Sequence, residues 1–316
     1  MAANAISESS RTQASNITIF ARLTRFQFLP LILLPALCGT FLAFRTYHVF
    51  NPTYFALMFL GVAMLHLGAN AIDDCYDFQN GVDQVANSMF PKDFSAWKPL
   101  PRGLISLKNA KSVSYMLLLG SLLLATYFAF VVGPWSLILG VAGIFLAITY
   151  TAPPLKLDYR GFGLGEIEIL LAFGPIPLLG SFYVQTGVLT LPALLVSIPI
   201  GIMTVTILMD HDLIFYEVYS VSKKFSLGTV LGRAKSLSAI LLFSVISYGI
   251  VFALVGAKVL PIWSCLAPIT SALILARRAK TFRRPNEAPP HYVPFTVNGL
   301  LSNWIFSLVL ALTILL

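Results

Sequence analysis

The sequence predicts an all-α, polytopic membrane protein with nine transmembrane helices. Hydrophobic residues make up 57% of the chain and charged residues 11%, with a mean hydropathy of +0.83. A soluble domain is about 25% charged, so this composition excludes that class. Apolar stretches long enough to cross a bilayer recur along the chain. Basic residues are concentrated in every second one of the loops that join them.

We expect residues 1–20 to form a polar N-terminal tail and residues 21–316 a single transmembrane domain. The fifth apolar segment is unusual because it contains Glu166, Glu168, Pro175 and Pro177. Prolines inside a span are typical of kinked or broken helices that pack against neighbours. The nine predicted segments are residues 23–45, 53–72, 112–131, 134–150, 164–183, 190–209, 236–256, 259–276 and 297–316.

The distribution of basic residues predicts the orientation in the membrane. With nine spans, only Arg45 and Lys258 of the 21 lysines and arginines fall on one side. The positive-inside rule then places the N-terminus and the basic loops in the cytoplasm and the C-terminus outside. Anionic lipid and topology account for the net charge of +8, so we expect a lipid bilayer as partner and no nucleic acid.

An acidic cluster ends the second apolar segment. On a helix, Asn70, Asp73, Asp74 and Asp77 fall within an arc of roughly 100°, and Asp83 follows shortly after. Neighbouring carboxylates repel one another unless a cation lies between them. Oxygen ligands suit Mg²⁺, which commonly bridges to substrate phosphates. The cluster therefore predicts metal-assisted chemistry, and the alternative is a solvated acidic helix end.

A second acidic group ends the sixth segment. Asp210 and Glu217 are seven residues apart, so a continuous helix aligns them, whereas Asp212 points nearly opposite Asp210. We therefore expect Asp210 and Glu217 to bind a second metal ion. If the helix breaks after Met209, Asp212 turns inward instead.

Basic residues follow both acidic groups. Lys98 and Arg102 follow the first group, and Lys224 follows the second. Carboxylates, Mg²⁺ and basic side chains together form a clamp for a diphosphate, although each lysine taken alone is better explained as a topology determinant. The Gly/Pro-rich loop from residue 150 to 166 adds further polar side chains, which are Tyr150, Lys156, Asp158, Tyr159 and Arg160.

These motifs resemble the UbiA superfamily of intramembrane aromatic prenyltransferases, through about residues 20–316. Within it, the likeness is to the 1,4-dihydroxy-2-naphthoate polyprenyltransferases of menaquinone biosynthesis. The stretches that carry the resemblance include Asn70-x-x-x-Asp74-x-x-Asp77-x-x-x-Gly81-x-Asp83, Lys98-Pro-Leu-Pro-Arg102-Gly, Tyr150-Thr-x-x-Pro154-x-x-Leu157-x-Tyr159, Gly163-Leu-Gly-Glu166, Phe173-Gly-Pro175 and the run from Lys224 to Arg233.

The resemblance implies a bundle around a central cavity open to the cytoplasmic side. It implies Mg²⁺-dependent transfer of a polyprenyl group from its diphosphate to an aromatic acceptor. The catalytic residues would be Asp74, Asp77, Lys98 and Arg102. The substrate contacts would be Asn70, Asp73, Asp83, Tyr150, Lys156, Tyr159, Arg160 and Lys224.

The chain departs from the family at the second acidic motif, where the family has Asn-x-x-x-Asp-x-x-x-Asp and this chain offers Asp210, Asp212 and Glu217. Two alternatives follow. A terpene cyclase of the same superfamily would use the same metals without an aromatic acceptor. A transporter would be expected to carry its charges at the membrane midplane, not at one membrane side.

Overall fold

The computed structural model describes residues 14–90, 98–278 and 292–316. Within these ranges the chain is almost entirely helical, apart from an isolated bridge between Arg160 and Phe225. The predicted all-α class is confirmed. In chain order the helices are α1 (Asn16–Leu23), α2 (Pro30–Tyr47), α3 (Pro52–Gln79), α4 (Val82–Met89), α5 (Leu107–Val131), α6 (Trp135–Thr149), α7 (Leu164–Phe173), α8 (Pro175–Thr186), α9 (Leu191–Ser222), α10 (Leu227–Leu231), α11 (Arg233–Gly256), α12 (Leu266–Ala276) and α13 (Tyr292–Ile314).

The helical segments coincide with the predicted spans. In the described ranges, seven segments are long and apolar enough to cross a membrane. Two shorter apolar segments, Trp135–Thr149 and Ile262–Ala276, lie where the fourth and eighth spans are predicted. A helix that crosses the bilayer perpendicularly needs about 20 residues, and these two segments are shorter. The count of nine full crossings therefore stays a prediction. The seven longer segments are Phe26–Tyr47, Pro52–Gln79, Leu107–Val131, Leu164–Thr186, Leu191–Ser222, Arg233–Gly256 and Tyr292–Ile314.

The fifth span is broken, as its prolines predict. Helix α7 ends at Phe173, and α8 begins at Pro175, whose missing N–H is tolerated in a first turn. A Cβ on Gly174 would lie 2.6 Å from the Ser197 carbonyl oxygen of α9. Glycine therefore allows the break to pack closely against the neighbouring helix.

The two helices that carry the acidic motifs run without interruption. Helix α3 begins after Asn51, whose side chain accepts a hydrogen bond from the Tyr54 amide, and continues through the first motif. Helix α9 continues from Leu191 to Ser222 despite Pro199 inside it. Asp210, Asp212 and Glu217 therefore lie on one unbroken helix, as the sequence predicts.

The helices enclose the predicted central cavity. Helix α2 packs against α8 and α13, α3 packs against α5, and α9 packs against α7, α11 and α13. Buried side chains such as Phe182, Met203 and Phe306 fill the largest apolar cluster between them. Helices α2, α3, α6, α7, α9 and α13 all contribute side chains to the cavity wall.

Several segments predicted to be cytoplasmic meet at one end of the bundle. Arg25 precedes α2, Lys98 lies between α4 and α5, and Lys224 follows α9, yet all three contact the acidic end of α3. This convergence agrees with the predicted basic side of the membrane, but the side itself stays a prediction.

We expect a reporter fused after Leu316 to be located outside the cytoplasm. The measurement is a pair of fusions, one to a phosphatase that is active only outside and one to a fluorescent protein that folds only inside. The same reporters inserted after Lys108, in the predicted cytoplasmic loop, provide the control. A fluorescent, phosphatase-inactive C-terminal fusion would contradict the nine-span topology.

Candidate active site

The acidic end of α3 is buried. Asp73, Asp74 and Asp77 expose less than a tenth of their surface, although they lie in the last two turns of a helix. The chain then turns through Gly81, whose φ of 84° is readily adopted only by glycine, and α4 brings Asp83 back beside them. Four carboxylates therefore share one buried region. The sequence predicts the shared face of Asp73, Asp74 and Asp77 but not their burial.

Two basic side chains lie between these carboxylates. The Arg25 guanidinium is 2.8 Å from Asp73 Oδ2 and also contacts Asp74 Oδ1. Lys98 Nζ lies 2.7 Å from Asp83 Oδ1 and 3.3 Å from Asp74 Oδ1. Burial alone lowers the pKa of Lys98, but attraction to Asp74 and Asp83 outweighs it and raises that pKa above its ordinary value. Lys98 therefore stays charged.

Lys224 occupies a cage of two carboxylates and two aromatic rings. Its Nζ lies 2.7 Å from Asp158 Oδ2 and 3.3 Å from each carboxylate oxygen of Asp77. The rings of Tyr159 and Tyr219 lie 5.1 and 4.8 Å from the same nitrogen. Burial lowers the pKa of Lys224, but Asp158 and Asp77 more than offset this and raise it well above its ordinary value. The ammonium is thus a fixed positive charge beside Asp77.

The loop between α6 and α7 supplies further polar contacts. The Tyr159 hydroxyl donates to Asp77 Oδ1 at 2.6 Å, and Lys156 Nζ donates to Asn80 Oδ1 at 2.6 Å. Asn80 in turn donates to the Tyr159 hydroxyl at 3.2 Å. Burial and the nearby Asp77 raise the pKa of Tyr159, so its hydroxyl keeps its proton.

Two predicted site residues, Arg160 and Arg102, are exposed. Arg160 is exposed and donates to the carbonyl oxygens of Leu155 and Pro154 in its own loop. Arg102 is exposed in the turn before α5. Their predicted roles toward a substrate stay predictions, and in this arrangement Arg160 supports the loop.

A cavity of ≈ 230 Å³ adjoins the charged cluster. Arg25 and Asp73 belong to both, so the two are continuous. Asn70 also lines the cavity, and its amide nitrogen lies 3.0 Å from His66 Nε2. Most of the remaining wall is apolar or aromatic, and it includes Phe28, Leu31, Leu65, Leu146, Tyr150, Ile169, Phe173 and Leu208.

The second acidic group is split between three environments. Asp210 is buried and pairs with Arg278, while the half-exposed Glu217 pairs with Arg233 at 2.7 Å. Asp212 is buried next to the backbone of α10, where a Cβ on Gly228 would lie 2.7 Å from Asp212 Oδ2. The metal assignment of Asp210 and Glu217 stays a prediction. The ion pairs of these residues with Arg278 and Arg233 would have to separate before either carboxylate could bind a metal.

An aromatic stripe occupies the helix face between Asp210 and Asp212. His211 lines the cavity, and its ring stacks on Phe215 at 4.4 Å, which stacks on Tyr219 at 5.7 Å. The Tyr219 hydroxyl lies 3.2 Å from His211 Nδ1. The stripe therefore reaches the cavity at His211, and the two acidic residues flank it on α9.

The donor set of the first cluster fits a hard cation. Asp73 Oδ1, Asp74 Oδ2 and Asp83 Oδ2 are buried without a hydrogen-bond partner in the described part of the chain. Buried oxygens normally have a hydrogen-bond donor or a metal ion as partner. No group of three acidic, histidine or cysteine side chains in those ranges is gathered closely enough to hold an ion, because basic head groups lie between the carboxylates. Binding a metal here therefore requires these side chains to rearrange.

Comparison with known proteins places this arrangement in a family. Residues 32–300 match the model of the UbiA prenyltransferase family. The chain belongs to this family. The fold of this chain is similar to that of a UbiA homologue from Archaeoglobus fulgidus bound to DMAPP and Mg²⁺. The two sequences are 16% identical, and the TM-score is 0.63 over 92% of this chain and 98% of that one. The chain is accordingly an integral, multi-pass membrane protein.

Two curated relatives share a more specific likeness. The 1,4-dihydroxy-2-naphthoate octaprenyltransferase of Bacillus subtilis is 27% identical over 62% of this chain, a match that spans 60% of that protein's length. The enzyme of the same description from Haemophilus influenzae is 28% identical over 82% of this chain and 84% of its own length. The resemblance to the UbiA superfamily and to its naphthoate branch is confirmed.

The sequence interpretation missed three residues of this UbiA site. Arg25 falls inside the first predicted span, residues 23–45, and an arginine within an apolar segment is a signal for pairing with an acidic residue. Asp158 was treated as one polar contact among several, yet it holds Lys224. His211 was passed over between two acids, and its regular spacing with Phe215 and Tyr219 was the available signal.

Proposed function

We propose that the chain transfers a polyprenyl group from its diphosphate to an aromatic acceptor, with Mg²⁺ as cofactor. The observation that carries this proposal is the continuity of a carboxylate and lysine cluster with an apolar cavity through Arg25 and Asp73. A charged head group and a long apolar chain need these two environments side by side.

The charged cluster would hold the diphosphate. Bound Mg²⁺ would supply Lewis-acid stabilisation of the diphosphate oxygens, and Asp74 and Asp77 are its proposed ligands. If these carboxylates bound the metal, Lys98 would keep Asp83 and Lys224 would keep Asp158, and each ammonium has further N–H groups that could contact phosphate oxygens. We propose Arg102, Asp83, Lys156 and Arg160 as further contacts, of which the exposed Arg102 and Arg160 would have to swing inward.

The cavity would hold the prenyl chain and protect the allylic cation that forms when its C–O bond breaks. Its apolar wall excludes water, which would otherwise capture the cation. The rings of Phe28, Tyr150 and Phe173 line this space. Aromatic faces stabilise a desolvated cation by about 2 kcal/mol. The same wall offers Asn70 as a polar contact for the acceptor.

A dihydroxynaphthoate is the first acceptor to test. The support is the description of the Bacillus subtilis and Haemophilus influenzae relatives as 1,4-dihydroxy-2-naphthoate octaprenyltransferases. The stripe of His211, Phe215 and Tyr219 also offers flat surfaces beside the cavity. The proposed sidedness places this entire site at the cytoplasmic end of the bundle.

The test is to incubate the purified protein in detergent with geranylgeranyl diphosphate and Mg²⁺, with and without 1,4-dihydroxy-2-naphthoate. We expect a prenylated naphthoid product only when all three are present. Hydrocarbon or alcohol products that form without the acceptor would identify a terpene cyclase. Intact diphosphate in every reaction, including reactions with other hydroxylated aromatic acceptors, would contradict the proposed function.

A further inference from the structure

Glu168 is a buried carboxyl group in the cavity wall. It lies in the first half of α7 and exposes 3% of its surface. Asp73 also lines the cavity, but it is paired with Arg25. Glu168 contacts no lysine or arginine in the described ranges, so it differs from the paired carboxylates of the charged cluster.

The hydrogen bonding of Glu168 is incomplete. The Thr149 hydroxyl lies 3.1 Å from Glu168 Oε1, but it also lies 2.8 Å from the Phe145 carbonyl oxygen of its own helix. A hydroxyl has one proton to donate, so Oε1 has at most a share of it. Oε2 is buried and has no partner in the described residues. Thr149 therefore leaves at least one carboxyl oxygen of Glu168 available to a ligand in the cavity.

A packing role does not account for this side chain. Glu166, two residues earlier, shows what such a role looks like, because its Oε1 accepts the Leu227 amide at 2.9 Å and ties α7 to the start of α10. In the described residues Glu168 accepts no backbone amide and only the shared Thr149 hydroxyl, and its neighbours Ile169 and Ala172 line the cavity with it. Ionisable residues inside membrane spans are expensive, and those that face a cavity are typical of function.

We propose that Glu168 is the catalytic base of the UbiA reaction in this chain, taking the hydroxyl proton of a phenolic or naphtholic acceptor. This inference rests on the proposed function. The location fits, because Glu168 lies in the cavity wall with Tyr150 and Asn70, beside the space assigned to the prenyl chain. A carboxyl oxygen with no other partner is the acceptor available to a substrate hydroxyl there.

The proton transfer balances with the transfer of the prenyl group. As the hydroxyl proton moves to Glu168, the O–H electron pair forms a carbonyl, and a ring carbon bonds to the allylic carbon. The C–O bond between the allylic carbon and the diphosphate breaks, and pyrophosphate leaves with the electron pair of this C–O bond. The attacked ring carbon then gives its proton to the departing pyrophosphate, or loses its carboxylate as CO₂, and the electron pair left behind restores the aromatic ring. The carbonyl oxygen then regains the proton held by Glu168.

The test compares Glu168→Gln with the unaltered protein, using geranylgeranyl diphosphate and 1,4-dihydroxy-2-naphthoate as probes. Glutamine preserves the size and a carbonyl acceptor but cannot hold the proton. We expect kcat to fall by at least about a hundredfold, because general bases contribute 10²–10⁴-fold. Binding of geranylgeranyl S-thiolodiphosphate, measured by calorimetry, should not change. The acidic limb of the kcat–pH profile should disappear in Glu168→Gln and persist in Glu168→Asp.

Glu166→Gln is the matched control, since it is a buried glutamate on the same helix whose bond is to backbone. It should lower the thermal stability while keeping the acidic limb of the pH profile.

If the unaltered protein transfers the prenyl group to no hydroxylated acceptor, the proposed function fails and this role fails with it. If it does transfer, and Glu168→Gln keeps kcat within threefold with the same pH profile, only the role of Glu168 is overturned. If Glu168→Gln fails to bind the thiolodiphosphate, Glu168→Asp decides, and a Glu168→Asp variant that turns over without an acidic limb in its kcat–pH profile overturns the base.

Discussion

Replacing Asp77 by alanine is expected to reduce prenyl transfer about a thousandfold, and Asp74→Ala to do the same. A loss of this size corresponds to about 4 kcal/mol of transition-state stabilisation, the scale expected when a ligand of a diphosphate-bridging metal is removed. Asp77 also receives the Tyr159 hydroxyl and borders Lys224. Its loss therefore disturbs the proposed metal ligands and the position of Lys224 together.

The measurement is kcat and the Mg²⁺ concentration at half-maximal rate, with folding checked by thermal unfolding in detergent. Lys224 keeps Asp158 as its partner in Asp77→Ala, so we expect this variant to fold. Tyr159→Phe is the graded control. It removes one hydrogen bond to Asp77 and leaves the carboxylate, so we expect a loss of roughly tenfold in kcat. Turnover near that of the unaltered protein in either alanine variant, at saturating Mg²⁺, would refute the metal assignment.

The local structure around the first motif could be predicted from the sequence because it depends on one continuous helix. The spacing of Asn70, Asp73 and Asp77 sets their shared face wherever α3 packs. The break between α7 and α8 was equally predictable, since Pro175 and Pro177 remove backbone donors inside a span. Such features follow from the covalent structure of a short segment.

The partners of these carboxylates could not be predicted in the same way. Arg25 reaches Asp73 from 48 positions earlier in the chain, and it does so from a left-handed backbone conformation with φ of 49°. Lys224 reaches Asp77 across 147 positions. These pairings depend on how the helices are arranged around the cavity, and no local pattern in the sequence encodes that arrangement.

The orientation of α9 is the clearest example. The sequence correctly predicts that Asp210 and Asp212 lie on opposite sides of one helix. Which side faces the site depends on tertiary packing. Asp212 lies against Gly228 of α10, whereas Asp210 meets Arg278 and Gly299.

Replacing Arg278 by methionine is expected to destabilise the fold by about 3–5 kcal/mol. Arg278 and Asp210 are both buried, and the guanidinium lies 3.5 Å from the centre of the Phe295 ring. The pair thus joins α9 to the end of α12 and to α13. Removing one partner leaves an uncompensated buried charge, which is the costly case. The measurement is the free energy of unfolding in detergent, and the double variant Arg278→Met with Asp210→Asn should recover most of the loss.

The same pair tests whether Asp210 binds a metal. If Asp210 is mainly a partner of Arg278, Asp210→Asn should lower stability and leave the Mg²⁺ dependence of the rate unchanged. Asp212→Asn is the matched variant on the opposite side of α9, where both carboxylate oxygens lack a hydrogen-bond partner in the described residues. We expect Asp212→Asn to require several times more Mg²⁺ for half-maximal rate, because both of its carboxylate oxygens are available to a metal ion, whereas Asp210 is paired with Arg278. A raised Mg²⁺ requirement in Asp210→Asn, with none in Asp212→Asn, would show that the Arg278 pair opens during catalysis and that Asp210 is the ligand.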